Sequence, residues 1–246
     1  MKNFKTLILF AFITIFTISG YAQKKKVAVV TFYADKVIDL SEVDASADFI
    51  AKNTKLSDDP DFNLKKPLEE FHKAFFENYV NEFDFELIPE EDVLNLPEYQ
   101  EFKADYGNYK NIGNQDAYET IDGYKVVQNY GSRLEVKNLK PIAEALGADA
   151  IMFVRLNYGF NKTGIGKLGY YSIKASVSLD LFSKDNKSIF QFGEIAGSKK
   201  KAVMVGGIPV MTPDKIQPMC ENATEELIKD MNKKIERLSK KANKKL

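Results

Sequence analysis

Cysteine and histidine each occur once among 246 residues, as Cys220 and His72. A lone cysteine excludes an intrachain disulfide, and its distance from the amino terminus excludes a lipid anchor on a residue just after a leader. A lone histidine leaves no His/Cys metal constellation and no second imidazole for a relay. A surplus of one charge is also missing. Basic and acidic residues number 35 each, so nothing draws the chain to a nucleic-acid backbone. After residue 18 no apolar run approaches the ~20 residues that a bilayer span needs.

What is present begins with a three-part leader. Lys2 and Lys5 form a basic start, residues 7–18 are almost continuously apolar, and Gly20-Tyr21-Ala22 supplies a small-x-small end. This order reads as a secretory signal peptide over residues 1–22, with cleavage expected after Ala22. The exported chain, residues 23–246, has 33 basic residues against 35 acidic ones once the two leader lysines are gone. At that length one elaborated domain is expected. An oxidising compartment leaves Cys220 two uses, as a buried inert thiol or in an intermolecular disulfide.

Residues 26–33 (KVAVVTFY) predict a central strand buried on both faces. Residues 34–65 are polar and acid-rich and read as a long loop. Over residues 66–83, Leu68, Phe71, Phe75, Tyr79 and Phe83 recur every three or four positions, which predicts a helix with one aromatic face. A short strand follows at 85–88, and Pro89 then opens a helical turn rich in acids. Residues 138–146 predict a helix capped by Asn138 and stopped by Gly147. Residues 150–154 are wholly apolar, as in a central strand. From Tyr171 to Leu181 apolar and polar residues alternate, the mark of a strand with one face in the core and one in water. Residues 184–187 turn into a partner strand through Ile189, Phe190 and Phe192. Ile228, Met231, Ile235 and Leu238 then predict a lysine-rich terminal helix.

Several patterns imitate known chemistry. Gly164, Gly166 and Gly169 fit G-x-G-x-x-G, but the motif needs a helix N-terminus after it, and a strand is expected there. Asp59, Asp61, Asn63 and Glu70 occupy positions 1, 3, 5 and 12 of a calcium-loop pattern, yet the glycine of the sharp turn is replaced by Leu64. His72 lies beside the aromatic stripe and reads as a structural histidine. No carboxylate pair stands out by spacing. No cofactor and no metal are expected.

Residues 99–133 stand apart as a tyrosine-rich excursion, with Asp122-Gly123 expected to turn a hairpin between 118–121 and 124–127. Tyr106, Tyr109, Tyr118, Tyr124 and Tyr130 are the candidate partner-binding residues, because tyrosine offers large contact area at low rotamer cost. The same rings could instead cap a sheet edge within the protein.

Taken in order, the elements resemble the CsgG/TolB-amino-terminal-like family of envelope α/β domains. The resemblance covers roughly residues 26–95 and 138–197. It is carried by the KVAVVTFY strand, Phe85-Glu86-Leu87-Ile88 before Pro89, the ALGADAIM junction at 145–152 and the SVSLDLFSKDNKSI hairpin at 176–189. It implies a mostly non-catalytic envelope protein, since members include the curli secretion channel, activators of cell-wall synthases and the amino-terminal domain of a translocation protein. Two departures matter: Gln23 stands where a lipid-anchored member has cysteine, and only a short Gly-rich loop joins the strands that a secretion channel extends. The expected fold is α/β (α+β), a mixed sheet of about five strands with helices packed on it and a long terminal helix. The expected role is a non-enzymatic exported accessory, periplasmic or outer-membrane-associated, that binds an unidentified envelope protein and possibly itself. A secretion-pore subunit and a hydrolase using His72 or a carboxylate pair are the alternatives.

Overall fold

The computed structural model describes residues 24–42, 47–104, 117–128, 138–165, 168–204 and 209–245, with only the backbone at 47, 48, 164, 165 and 168. The predicted leader lies outside these residues. The first element is β1 (Lys25–Asp35), buried from Val27 to Ala34 as its unbroken apolar run requires. It lies beside β2 (Phe85–Leu87) and β4 (Ala150–Ile165), parallel to both. β5 (Leu168–Ser183) and β6 (Ser188–Gly197) continue the sheet antiparallel, in the order β2-β1-β4-β5-β6. Two short strands complete it: β3 (Tyr118–Thr120) on β1 and β7 (Ala202–Val203) on β5. This is the mixed α/β sheet with a long terminal helix that the residue pattern predicts.

The larger core lies on one face of the sheet. There α2 (Lys65–Ala74) presents Leu68 and Phe71, both fully buried. The helix then widens into a π turn over Phe75–Tyr79, with the Val80 N–H donating to the Phe75 carbonyl. The extra residue lets Phe75, Tyr79 and Val80 all face inward. Phe83, expected on the same helix, is extended instead and stacks with Phe85 and Phe190 at 5.3 and 5.6 Å. Burying each such ring contributes about 2–3 kcal/mol before conformational entropy is counted.

The terminal helix α6 (Pro213–Asn243) covers the same face. It is longer than expected, and its buried stripe runs through Ile216, Met219, Cys220, Ala223, Leu227, Met231 and Ile235. Leu227 therefore takes the central place that periodicity assigned to Ile228, which is only half-buried. The Tyr79 hydroxyl donates to the Ile228 carbonyl at 3.2 Å, tying the π turn to α6.

Three local expectations are corrected. Residues 34–65 are not a continuous loop: α1 (Ala47–Ser57) lies within them. Its buried positions Phe49, Asn53 and Leu56 include a polar residue, which hides the stripe in the sequence; Asn53 Nδ2 donates to the Ile38 carbonyl at 2.7 Å. Residues 118–127 do not close a two-stranded hairpin. Gly123, at φ +90°, makes the turn, but β3 pairs with β1, and residues 125–127 bond to Thr31 instead. The 140s helix, α5 (Lys140–Ala145), has Leu139 at its N-cap with no side-chain cap and Pro141 in its first turn, so Asn138 is not the cap. Its end is as expected. Gly147, at φ +61°, closes a Schellman turn in which Ala148 N–H donates to the Ala143 carbonyl and Gly147 N–H to that of Glu144.

A smaller core occupies part of the other face. α3 (Glu90–Leu94), α4 (Pro97–Glu101) and α5 bring Val93, Tyr99, Leu139 and Ile142 onto Ala28, Val30, Ile151 and Phe153. Among the described residues these helices cover only the start of β1 and β4. The rest of that face carries the features described next.

Candidate interaction surface

Period-two alternation puts Tyr171, Ile173, Ala175, Val177, Leu179 and Leu181 toward α6, each at most 1% exposed. The intervening residues of β5 must therefore point to the opposite face. They are Tyr170, Ser172, Lys174, Ser176, Ser178 and Asp180. Pairing extends the same face to Arg155 and Asn157 on β4 and to Gln191, Gly193 and Ile195 on β6. Tyr170 is 53% exposed and its direct cross-strand partner Val203 61%. Ile195, opposite Ser176, is 59% exposed. Tyr170 and Val203 form one exposed apolar pair, and Ile195 stands exposed on the same face about 20 Å further along the sheet.

The polar groups between them are mostly paired. Arg155 Nη2 bonds Asp180 Oδ2, with Asp180 only 4% exposed, so two charges leave water together. Arg155 Nε is buried without a hydrogen-bond partner. Lys174 Nζ reaches Glu42 Oε1 in the segment after β1. The β4–β5 hairpin is long, with 16 residues in each strand. Among the described side chains its apolar face is occupied by the protein's own chain, with Phe160 on Phe49 at 5.7 Å and the Tyr171 hydroxyl donating to the Val210 carbonyl at 2.9 Å. Gly164 and Gly169 face each other near its tip, and β5 follows rather than a helix N-terminus.

The candidate tyrosines divide. Tyr106, Tyr109 and Tyr130 lie outside the described residues. Tyr118 is half-buried on β3, its ring edge-on to Tyr33 at 5.2 Å. Tyr124 is 6% exposed, in the main core beside Phe32, so it offers a partner no ring face. Its buried hydroxyl lies near the Glu90 carboxylate; burial first, and that charge second, keep it protonated. Tyr99, from the same stretch, is fully buried and works as a bolt. A bulge between Val29 and Thr31 breaks the β1–β4 register; the Tyr99 hydroxyl donates to the Val30 carbonyl at 2.9 Å and accepts from Lys125 N–H at 2.9 Å. Thr31, also fully buried, donates to the Lys125 carbonyl and accepts from Val127 N–H.

The residues with reactive side chains have structural surroundings. His72 Nε2 meets Glu90 Oε1 at 2.7 Å, joining α2 to α3, while its ring packs on Phe32 and Phe76. Cys220 is fully buried and its thiol pushed up by desolvation, so the inert-thiol reading holds and a disulfide to another chain has no geometry. Asp59 Oδ1 accepts from Asp61 N–H and Asn63 Oδ1 from Lys65 N–H, which makes the calcium-like pattern a turn leading into α2. Asp59 and Asp61 share an acidic hollow with Asp214 and Glu221 at the start of α6. One group had no signal in the sequence: Asp35, at the carboxyl end of β1, accepts from Val37 N–H at 2.8 Å, yet burial raises its carboxyl to about 6.

No family model matches this chain, the CsgG/TolB-amino-terminal-like family included, and no curated protein matches it. Thirteen chains of solved structures align with it, among them the three that follow. The LpoB C-terminal domain from Salmonella enterica has TM-score 0.31 and 11% identity, over 72% of this chain and 85% of that one. A putative neuraminyllactose-binding hemagglutinin homolog from Helicobacter pylori has TM-score 0.37 and 12% identity, over 92% and 95%. A hypothetical protein from Chlamydia trachomatis has TM-score 0.31 and 11% identity, over 86% and 98%. Superpositions this loose say nothing of function. Among the described residues no helix is long and apolar enough to cross a membrane.

Proposed function

We propose that this chain is an exported envelope accessory that acts by binding another protein rather than by catalysis. The observation that carries the reading is the half-uncovered sheet: Tyr170, Val203 and Ile195 stand exposed on a rigid face whose reverse side is sealed by α6. The occupations of His72 and Cys220 support it, because one holds two helices together and the other is out of reach of solvent. A polar face with a few large apolar side chains resembles the rim-and-anchor make-up of recognition surfaces. The leader expected at residues 1–22 supplies the route out of the cytoplasm.

A photo-reactive residue placed in turn at Tyr170, Val203 and Ile195 in intact cells is the test. The expected result is one defined envelope protein joined at these positions and not at Lys233, an exposed site on the outer side of α6. Equal, unspecific labelling at all four positions refutes the reading.

A further inference from the structure

A second surface lies on the outer edge of the sheet. β6 is the terminal strand in the order β2-β1-β4-β5-β6, so among the described residues one side of its backbone has no strand neighbour. An edge of that kind is a template for another strand unless something blunts it. Beside it, the last turns of α6 do not close over the strand but leave a groove of about 400 Å³. Phe190, Phe192 and Leu238 give the groove an apolar floor, and Lys241 and Lys245 stand at its rim. Gly193 lines the groove with backbone alone.

The charges around this groove are one-sided. Among the described residues no carboxylate lines it. Elsewhere on α6 the lysines are paired: Lys229 with Glu226, Lys233 with Asp230, Lys234 with Glu194 and Lys240 with Glu236. Among the described residues Lys241 and Lys245 have no such partner. Two uncompensated cations next to an apolar floor and a free strand edge define a complement: an extended segment whose groove-facing side chains are both apolar and acidic.

We infer that the groove between β6 and the end of α6 binds such an acidic, extended segment of another protein by strand addition. The segment's backbone bonds to the open edge of β6. On the side of the segment that faces α6, apolar side chains rest on Phe192 and Leu238 and carboxylates meet Lys241 and Lys245. A second copy of this chain is a poorer occupant, because edge-to-edge pairing of two β6 strands brings four lysines together. The inference deepens the binding role proposed above by naming a site and the chemistry of its ligand.

The test uses the full exported chain and two fluorescent ten-residue peptides, one repeating two valines and two glutamates, which puts both residue types on each face of a strand, and one with lysine in place of each glutamate. The glutamate peptide is expected to bind, to slow amide hydrogen exchange within residues 188–197, and to weaken as salt is raised. The double change Lys241→Glu with Lys245→Glu is expected to reduce its affinity about tenfold or more and to transfer preference to the lysine peptide. Both sites are exposed, so the variant keeps the fold, which circular dichroism checks. No binding of the glutamate peptide, binding indifferent to the charge reversal, or β6 protection arising only from self-association each overturn the inference. Failure here with specific cross-links at Ile195 intact removes only the groove. Peptide binding without those cross-links removes only the uncovered face as a docking site.

Discussion

The two faces of β5 are built from the same eleven residues, Tyr171 to Leu181, and do opposite things. Odd-numbered positions lie against α6 and are nearly inaccessible; even-numbered ones are serine, lysine and aspartate, with Ser172 and Asp180 buried and the others half-buried. One parity holds the fold together, and the other belongs to the face on which the proposed binding rests. The difference teaches where tolerance resides: a one-residue slip of β5 would exchange the faces, so register is the property the strand must protect.

Leu179→Ala should strike this contrast hardest. It empties a fully buried site against α6, with an expected loss of about 3–5 kcal/mol in chemical denaturation. If Leu179→Ala costs no more than the neighbouring Ser178→Ala, the division between the faces is wrong.

Asp180 is the exception on the polar parity, and its removal sharpens the comparison. Asp180→Ala leaves Arg155 with a partly buried, unpaired charge and is expected to cost about 2–3 kcal/mol. Replacing both, with Arg155→Met added, should restore most of that loss. A double variant no more stable than the single one contradicts the pairing account.

Tyr99→Phe tests the smaller core on the same side. Without the hydroxyl, the Val30 carbonyl and Lys125 N–H lose a shared partner, for an expected loss of about 2 kcal/mol and faster amide exchange at Lys125. Unchanged exchange there would show that the bolt is unimportant.

Asp35 makes a pH-dependent version of the contrast. Its carboxyl titrates near 6 in the folded chain against 3.8 when unfolded, so the folded state binds more protons between those values. Stability from this group is therefore present at low pH and declines as pH rises through that window. Asp35→Asn should remove the decline and leave the variant about 1–2 kcal/mol more stable relative to wild type at pH 7 than at pH 4. A difference that does not vary with pH contradicts the burial argument. Smallest of all, Ser178→Ala is expected to stay within about 0.5 kcal/mol of wild type.

Much of this was legible in the residues. β1 announces itself by an unbroken β-branched run, β5 by alternation, and the end of α5 by Gly147. The gaps have physical causes. Asn53 interrupts the stripe of α1 because its amide satisfies a carbonyl from a distant loop. Pro218, a residue type that interrupts a helical pattern, lies inside α6 in its second turn. The bulge in β1 and the bolt of Tyr99 depend on each other across some 70 positions, and neither has a local pattern. The polar parity of the candidate surface could be read from residues 172–180. The exposure of Tyr170, Val203 and Ile195 could not, because it depends on which helices stop short of the sheet.

The buried Cys220 allows one direct measurement of the central claim. Wild type should be silent to a bulky thiol reagent, so a cysteine introduced as Ile195→Cys reports alone. The account predicts rapid labelling of this variant in the purified protein and strong protection in intact cells, with Lys233→Cys labelled equally in both. Equal labelling of Ile195→Cys in the two settings would mean that nothing occupies the uncovered face, and would contradict the account.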